Sequence, residues 1–203
     1  MKRTIALIDG FNIYHSLDEN PKFHKYKWLN LRKLIEVFIE KNEQLVKIFY
    51  FSADAYWKPN RVKRHQTYVK VLATVNVESI LSEFKLKNRK CKKCGKSYTS
   101  YEEKQTDVQI AINLFKASID DIYEKAIIVS GDSDLIPTIN ATKAKFPLKI
   151  IHFLFPPNRT SESLKKVADS YSRIREKHFI GAQFPDDIDL GNGQSLTKPS
   201  EWT

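Results

Sequence analysis

The sequence of 203 residues predicts an α/β fold in which helices flank a mainly parallel β-sheet. Apolar segments rich in β-branched residues alternate along the chain with segments of helical period, which is typical of this fold class. Two of the apolar segments, residues 4–9 and 126–130, are almost continuously apolar, as strands covered on both faces are. The chain length suits one domain with a sizeable core, or one domain that carries a modest insertion.

The elements follow from these patterns in chain order. We predict four strands, at residues 4–9, 44–52, 126–130 and 148–155. Apolar residues three or four positions apart mark one helix from Leu31 to Ile39 and another from Val108 to Phe115. Three further helices are predicted, at about 60–75, at about 135–145 with Pro137 in the first turn, and at 161–174.

Residues 78–103 interrupt the alternation of strands and helices. We expect them to form a strand or hairpin that leads into a small basic insertion around Cys91 and Cys94. The last residues, 176–203, contain several glycines and prolines and are expected to wrap the surface or to be disordered. The predicted organisation is therefore one domain at 1–175, which includes the insertion, followed by a C-terminal tail.

The chain is strongly basic, with 34 basic and 24 acidic residues and a formal net charge of +10. This charge favours a polyanionic partner, although a soluble protein that is simply basic is the plainer alternative. No segment approaches the ~18 apolar residues of a membrane span. The first apolar run ends at Asp9, so it is too short to form the apolar segment of a signal peptide. With two cysteines and no export signal, we expect a cytoplasmic protein without a structural disulfide.

Acidic residues follow two of the predicted buried strands. Asp9 ends the first strand, and Asp132 and Asp134 come directly after the strand at 126–130. Ligand crevices of open parallel sheets lie beyond the carboxyl ends of the strands, so we expect these three acids to converge. Asp107 lies in the first turn of a predicted helix and would join them if that helix start points at the same edge.

Each acid also has a purely structural interpretation. Asp107 can interact with the helix macrodipole, Asp132 and Asp134 can cap the following helix, and Asp9 can form a turn beside Gly10. Capping needs one acid, however, so the closely spaced pair favours a hard cation, and ligands that are all oxygen suit Mg²⁺ or Mn²⁺. The sequence contains no Walker-type loop and no Gly-x-Gly-x-x-Gly motif, so it does not predict a nucleotide cofactor.

Four segments resemble, in order and spacing, the NYN domain family of the PIN-like nuclease superfamily: "IALIDGFNIYHSL", "EKQTDVQIAINLF", "AIIVSGDSDLIPTI" and "SESLKKVADSYSRI". The resemblance implies a Rossmann-like, PIN-like fold and metal-dependent hydrolysis of RNA phosphodiester bonds. It places the acidic metal site on four aspartates, Asp9, Asp107, Asp132 and Asp134. It also implies that Asn12 lies close to the metal. Many relatives have an aspartate where this chain has Asn113, which leaves the number of metal ions open.

A divalent ion held by Asp9, Asp107 and Asp132 would activate a bound water and neutralise charge in the transition state. Asp134 could bind the ion, orient the water or hold a second ion, and the sequence does not rank these roles. Four polar residues are natural outer partners that could orient the carboxylates or contact the phosphate, Asn12, Thr106, Ser130 and Ser133, although for Ser133 a role in closing the turn is favoured. The alternative is that these residues only close turns.

Positive charge that attracts RNA must come from residues outside the acidic cluster. One basic segment offers five candidate RNA-binding residues, Tyr56, Trp57, Lys58, Arg61 and Arg64, and residues 85–96 offer seven more basic side chains. Basic side chains contact phosphates and exposed aromatic rings stack on unpaired bases, which suits single-stranded or looped RNA. The alternative for the first segment is a solvated helix face with its aromatic residues in the core.

Cys91 and Cys94 form a Cys-x-x-Cys-Gly motif, which is typical of a zinc knuckle. A structural zinc ion needs four ligands, so His24, His65 or the same cysteine pair from a second subunit would complete the site. The last arrangement would make zinc the staple of a homodimer. Two exposed thiols without a metal are the alternative.

The sequence therefore predicts a divalent-metal-dependent endoribonuclease that uses Mg²⁺ or Mn²⁺. The alternative is a non-catalytic RNA-binding or assembly module with the same fold. DNA as the substrate also stays open, because no feature of the sequence predicts a contact with a 2′-hydroxyl group.

Overall fold

The computed structural model describes residues 1–191 and 193–202, with the side chains of all of these except Glu103 and Lys104. The strands are β1 Lys2–Asp9, β2 Glu43–Ala53, β3 Glu78–Lys90, β4 Ser97–Lys104, β5 Lys125–Val129, β6 Ile150–Phe155, β7 Ser170–Arg173, β8 Asp187–Gly191 and β9 Gln194–Thr197. The helices are α1 Gly10–Asp18, α2 Leu31–Glu36, α3 Pro59–Thr74, α4 Thr106–Ile119, α5 Ile136–Lys145, α6 Glu162–Val167 and α7 Glu176–Gly181. Short 3₁₀ helices lie at Pro21–Tyr26, Ser133–Leu135 and Ser200–Trp202.

Seven strands form one sheet in the order β4-β3-β2-β1-β5-β6-β7. All neighbouring pairs are parallel except β3 and β4, which form an antiparallel hairpin at one edge. The predicted α/β class with a mainly parallel sheet is confirmed. Because β1 lies between β2 and β5, the carboxyl ends of these three strands meet at the centre of one edge.

Apolar cores lie on both faces of the sheet. Successive side chains of a strand point to opposite faces, so Ala6 and Ile8 of β1 pack in one core while Ile5 and Leu7 pack in the other. The first core includes residues of α1, α2, α3 and α7, and the second includes residues of α4, α5 and α6. This burial on both faces explains why β1 and β5 are almost continuously apolar.

The helix expected over residues 161–174 is wrong in its second half. Helix α6 ends at Val167, and Ser170–Arg173 forms the edge strand β7, which pairs in parallel with β6. The Asp169 carboxylate accepts a hydrogen bond from the backbone amide of Ile151 (2.8 Å), which holds the chain beside β6. Pairing with the sheet has therefore overridden the local helical pattern. Helix α2 also ends earlier than expected, at Glu36 rather than near Ile39.

The chain after residue 175 differs from the expected surface or disordered tail. It forms α7, the β8–β9 hairpin and the last 3₁₀ helix, and it buries three aromatic side chains, Phe179, Phe184 and Trp202, in the first core. The Trp28 indole donates a hydrogen bond to the Pro185 carbonyl (2.8 Å), which fastens the segment further. The segment is folded because its aromatic side chains bury large apolar areas against the nearby core.

The strand or hairpin expected within residues 78–103 is present as β3 and β4, with Cys91 and Cys94 in the connecting turn. That this hairpin is an insertion into a smaller parent fold stays a prediction. In the described part of the chain, no helix has the length and apolar character required to cross a bilayer.

Candidate active site

A cavity of about 520 Å³ opens at the edge of the sheet where β1, β2 and β5 end. Three of the four candidate acids line it, Asp9, Asp107 and Asp132. The expected outer partners Asn12 and Thr106 also line it. The structure therefore brings together acidic residues that lie as much as 123 positions apart, from 9 to 132, in the sequence.

Asp9 is held in one orientation at the junction of β1 and α1. It caps α1, because one of its carboxylate oxygens accepts a hydrogen bond from the backbone amide of Asn12 (2.9 Å). The other oxygen accepts one from the Ser130 hydroxyl (2.9 Å). Only 4% of Asp9 is exposed, so these hydrogen bonds also compensate its removal from water.

The loop that follows β5 is tied to the β1–α1 junction by two further contacts. The Ser130 hydroxyl oxygen accepts a hydrogen bond from the Asp132 amide (3.1 Å), so Ser130 connects Asp9 with Asp132. The Asn12 side-chain oxygen accepts one from the Gly131 amide (3.0 Å). Ser130 and Asn12 thus lie where the sequence expects outer partners of the carboxylates.

The two neighbouring aspartates after β5 have different positions. Asp132 lines the cavity, whereas Asp134 is exposed and is not among the lining residues. The Asp134 amide donates a hydrogen bond to an Asp132 carboxylate oxygen (3.0 Å), which makes Asp132 the cap of the 3₁₀ helix Ser133–Leu135. The turn of this short helix carries the Asp134 side chain away, so the structure does not bring the fourth predicted acid into the cavity.

The start of α4 supplies Asp107 and Thr106. The helix begins at Thr106 after Gln105, which adopts a left-handed backbone conformation (φ 82°) and turns the chain out of the β4 strand. Asp107 therefore lies in the first turn, as predicted, although the residue at the cap position is Gln105. Thr106 is buried at the cavity wall.

The acids fit a divalent ion by donor type and by their common cavity. Their carboxylate oxygens are the hard ligands that Mg²⁺ and Mn²⁺ prefer. Among the described residues, however, no three His, Cys, Asp or Glu side chains are already grouped closely enough to hold a metal. The described acids thus share a cavity without forming a preformed metal site.

Basic residues lie on the same cavity as the acids. Five of them line it, Lys27, Lys58, Arg61, Arg64 and Arg159. Arg159 was not predicted from the sequence. It lies in the loop after β6 and packs against Gly131, and its guanidinium group pairs with Glu19. Its position after the carboxyl end of a buried strand is the signal that identifies such a residue, because the loops after parallel strands meet at one edge.

The predicted RNA-binding aromatic residues meet the β3–β4 hairpin. Trp57 lines the cavity and stacks on Tyr101 of β4, with ring centroids 3.7 Å apart and an interplanar angle of 7°. Tyr56 contacts both rings edge-on and is 54% exposed, but it does not line the cavity. Tyr101 covers one face of the Trp57 ring, so an unpaired base could stack only on the uncovered part of that ring.

The two histidines considered as zinc ligands have other partners. The His65 Nδ1 atom lies 2.6 Å from an Asp54 carboxylate oxygen, and the His24 Nε2 atom lies 2.8 Å from the Asp18 carbonyl. The described residues offer no third metal-ligating side chain beside the cysteine pair. Completion of a zinc site within one chain is therefore not supported, and a site shared by two subunits stays a prediction.

The thiol of Cys91 nevertheless differs from an ordinary cysteine. Hydrogen bonds from the backbone of Cys94 and Lys93 lower the pKa of the Cys91 thiol. The thiolate is the form that binds metals and that reacts, so this turn favours either chemistry over an inert thiol.

Comparison with known proteins agrees with the fold. A sequence model described as the NYN domain matches residues 3–175. A curated 6-hydroxy-3-succinoylpyridine 3-monooxygenase, HspA of Pseudomonas putida (strain DSM 28022 / S16), is 26% identical over 184 residues, which cover 73% of this chain and 58% of the relative. This chain thus spans little more than half the length of that relative.

A solved structure is also similar to this chain. It is the crystal structure of a protein of unknown function from Vibrio parahaemolyticus RIMD 2210633, with a TM-score of 0.58 and 20% sequence identity. The alignment covers 86% of this chain and 94% of that chain. At this identity the likeness is one of fold.

Proposed function

The chain belongs to the NYN domain family, and from this premise we propose that it is a ribonuclease that hydrolyses RNA phosphodiester bonds with a divalent metal ion. The observation that carries the proposal is the single cavity lined by Asp9, Asp107 and Asp132 at the carboxyl edge of the sheet. Family membership supplies the reaction class, and the cavity supplies the residues.

In this proposal Asp9, Asp107 and Asp132 hold Mg²⁺ or Mn²⁺. When bound, the ion lowers the pKa of a water molecule and neutralises charge that develops on the phosphate. The hydrogen bonds from the Asn12 amide and the Ser130 hydroxyl hold Asp9 in the orientation that an ion would need. The Ser130 hydroxyl oxygen, which accepts from the Asp132 amide, also fixes the spacing of the two strand ends.

The basic residues of the cavity would contact the RNA backbone. Arg159 lines the cavity and its side chain is partly exposed, so its guanidinium group, which pairs with Glu19, would also contact a phosphate oxygen. Lys58 and Arg61 are exposed at the cavity and would contact the neighbouring phosphates. Tyr56 and Trp57 stand beside them, which favours single-stranded or looped RNA over a duplex.

The test is cleavage of labelled single-stranded and hairpin RNA with Mg²⁺, with Mn²⁺ and with a chelator. We expect cleavage that needs the metal and that falls by at least about a hundredfold in Asp9→Asn and Asp132→Asn proteins. Asp120→Asn is the matched control, because Asp120 is an exposed acid at the opposite end of α4 from Asp107. Full cleavage by the Asp9→Asn and Asp132→Asn proteins would refute the proposal.

The second candidate is an RNA-binding module without catalysis. It is favoured by the observation that no three metal-ligating side chains are already grouped in the described part of the chain. It predicts RNA binding that weakens with salt and does not respond to the metal, with no cleavage under any of the conditions above. The monooxygenase reaction is not carried over to this chain, since that relative is 26% identical and is matched over 58% of its length.

A further inference from the structure

We propose that the part of the cavity between α1 and α3 is a binding site for the base of one unpaired nucleotide, next to the acidic residues. The identity of the ligand rests on the proposed function, because RNA supplies the base. Binding itself would need neither the metal nor cleavage. The site would make the enzyme select for a flipped-out or single-stranded nucleotide at one position beside the scissile bond.

The cavity extends well beyond the acidic residues. Side chains of α1 and α3 line it, and among the lining residues Leu17, Leu29 and Tyr68 are buried. Its volume of about 520 Å³ lies in the range of roughly 300–1,000 Å³ that is usual for small-molecule sites. A phosphate group with its metal ion fills a small part of such a volume, so space remains for a nucleoside.

One wall of this part of the cavity consists of aromatic rings that contacts with each other and with the backbone hold in place. The Tyr68 ring lies edge-on to Tyr50 (centroids 6.0 Å apart) and to Trp202 (5.8 Å), and all three rings line the cavity. The Tyr68 hydroxyl donates a hydrogen bond to the Leu29 carbonyl (2.6 Å), which sets the position of the ring. A wall of rings that is already in place favours a flat aromatic ligand, because little side-chain freedom is lost when the ligand binds.

The polar groups in this space suit the edge of a base. His65 is oriented by Asp54, whose second carboxylate oxygen accepts a hydrogen bond from Gln66 (3.2 Å). The other ring nitrogen of His65, Nε2, can accept from a ligand or donate to it, according to the tautomer of the ring. It lies 3.5 Å from the Tyr50 hydroxyl, which is a long contact that both groups can exchange for a ligand. The Tyr50 hydroxyl can donate a hydrogen bond to a ligand, as a tyrosine ordinarily does at neutral pH.

The C-terminal segment completes the wall. Trp202 lies outside the residues that match the NYN domain, yet it is 8% exposed and packs against Trp28 and Tyr68. An ion pair between Glu201 and Arg64 ties this segment to α3. The base site is therefore built partly from residues that the family match does not include.

The test compares the binding of nucleoside 5′-monophosphates with that of ribose 5-phosphate, both in the presence of a chelator. Both ligands carry the same phosphate, so their difference measures the contribution of the base. We expect at least one nucleotide to bind about tenfold more tightly or better than ribose 5-phosphate, in line with the value of a stacked base. Equal binding of all these ligands would overturn the inference.

Variants locate the site. We expect Trp202→Ala to abolish the preference for nucleotides and Trp202→Phe to retain it. Tyr98→Ala is the control, because Tyr98 is an exposed aromatic residue on the hairpin. If Trp202→Ala does not fold, His65→Ala decides in its place. A variant that folds and keeps the full preference would overturn the inference.

The outcome is independent of the nuclease assay. Nucleotide preference without RNA cleavage would support the base site and reject the proposed ribonuclease. Metal-dependent cleavage without nucleotide preference would support the proposed ribonuclease and reject the base site.

Discussion

Ser130 connects the two strand ends that carry Asp9 and Asp132 through hydrogen bonds. Its hydroxyl donates to Asp9 and accepts from the Asp132 amide. We predict that Ser130→Ala lowers RNA cleavage by about 10- to 100-fold, because outer partners of metal ligands typically have this effect. The free energy of unfolding should fall by only about 1 to 3 kcal/mol, the usual cost of leaving a buried group unpaired.

Cleavage rates and denaturant unfolding of the same Ser130→Ala protein check this prediction. Ser133→Ala is the control, since Ser133 is exposed and adjacent to Asp132. Loss of cleavage in the control to the same extent would show that the loop as a whole, rather than the Ser130 bridge, is sensitive to change.

Asp132 and Asp134 provide a second test at the residue scale. Asp132 lines the cavity and Asp134 is exposed outside it. We therefore predict that Asp132→Asn lowers the cleavage rate at least about tenfold more than Asp134→Asn does. Rates measured at saturating metal for both proteins check this. Equal losses would mean that Asp134 reaches the metal when RNA is bound.

Gly131 allows the loops after β5 and β6 to approach each other. A Cβ atom at this position would lie 1.8 Å from the Arg159 carbonyl oxygen, whereas one at Gly181 would have no neighbour within 4 Å. We predict that Gly131→Ala destabilises the protein by about 1 to 3 kcal/mol because the two loops must move apart, and that Gly181→Ala leaves stability unchanged or raises it. Thermal unfolding of both proteins checks this, and equal melting temperatures would contradict it.

The sequence predicts some of these residues and not others. Asp9 and Asp132 follow buried strands, and that pattern is sufficient to place them at one edge of a parallel sheet. Arg159 also follows a buried strand, but it lies inside the polar loop after β6 rather than at the strand end, and its packing against Gly131 is known only from the structure. The different orientation of Asp134 depends on a 3₁₀ turn of three residues, which is too short to show a periodic pattern.

At the scale of elements, local patterns predict the strands better than the short helices. Strands β1, β2, β5 and β6 all lie within two residues of their expected bounds. Helix α1 was not predicted, although Asp9 is at once the end of a strand and the cap of this helix. Strand β7 was not predicted because it is an edge strand whose formation depends on contact with β6.

Strand β6 carries a buried histidine that makes stability depend on pH. Burial, and then the nearby charge of Lys125, lower the pKa of His152 to about 4, while Glu43 and Glu40 oppose this shift weakly. The pKa in the folded protein is thus below the ordinary value of 6.5. The unfolded chain therefore binds the proton more readily, and the stabilisation is fully present above pH 6.5 and is lost as the pH falls toward 4.

We predict that the wild type loses on the order of 1 to 3 kcal/mol more than His152→Gln between these two pH values. Urea unfolding of both proteins across the range measures this difference, and the variant corrects for carboxylates that titrate in both. The same pH dependence in wild type and variant would show that His152 is protonated as readily in the folded state as in the unfolded state.

At the scale of the whole molecule, the cavity is assembled from parts that are distant in sequence. The ends of the central strands supply acids, and α3 supplies basic residues. The hairpin supplies Phe84, and its Tyr101 stacks on Trp57, which lines the cavity. The C-terminal segment supplies Trp202. A pattern along the sequence cannot reveal that Trp202 reaches the core, since the contact joins it to Trp28. The fold class was predictable because it depends on repeated local patterns.

The central claim is that Asp9, Asp107 and Asp132 hold a divalent ion that RNA cleavage requires. The most direct measurement is the cleavage rate of single-stranded RNA as a function of Mg²⁺ concentration, for the wild type and for Asp107→Asn. We predict no cleavage without Mg²⁺ and a half-saturating concentration at least about tenfold higher in the variant. Cleavage that does not depend on Mg²⁺, or identical curves for the two proteins, would contradict the claim.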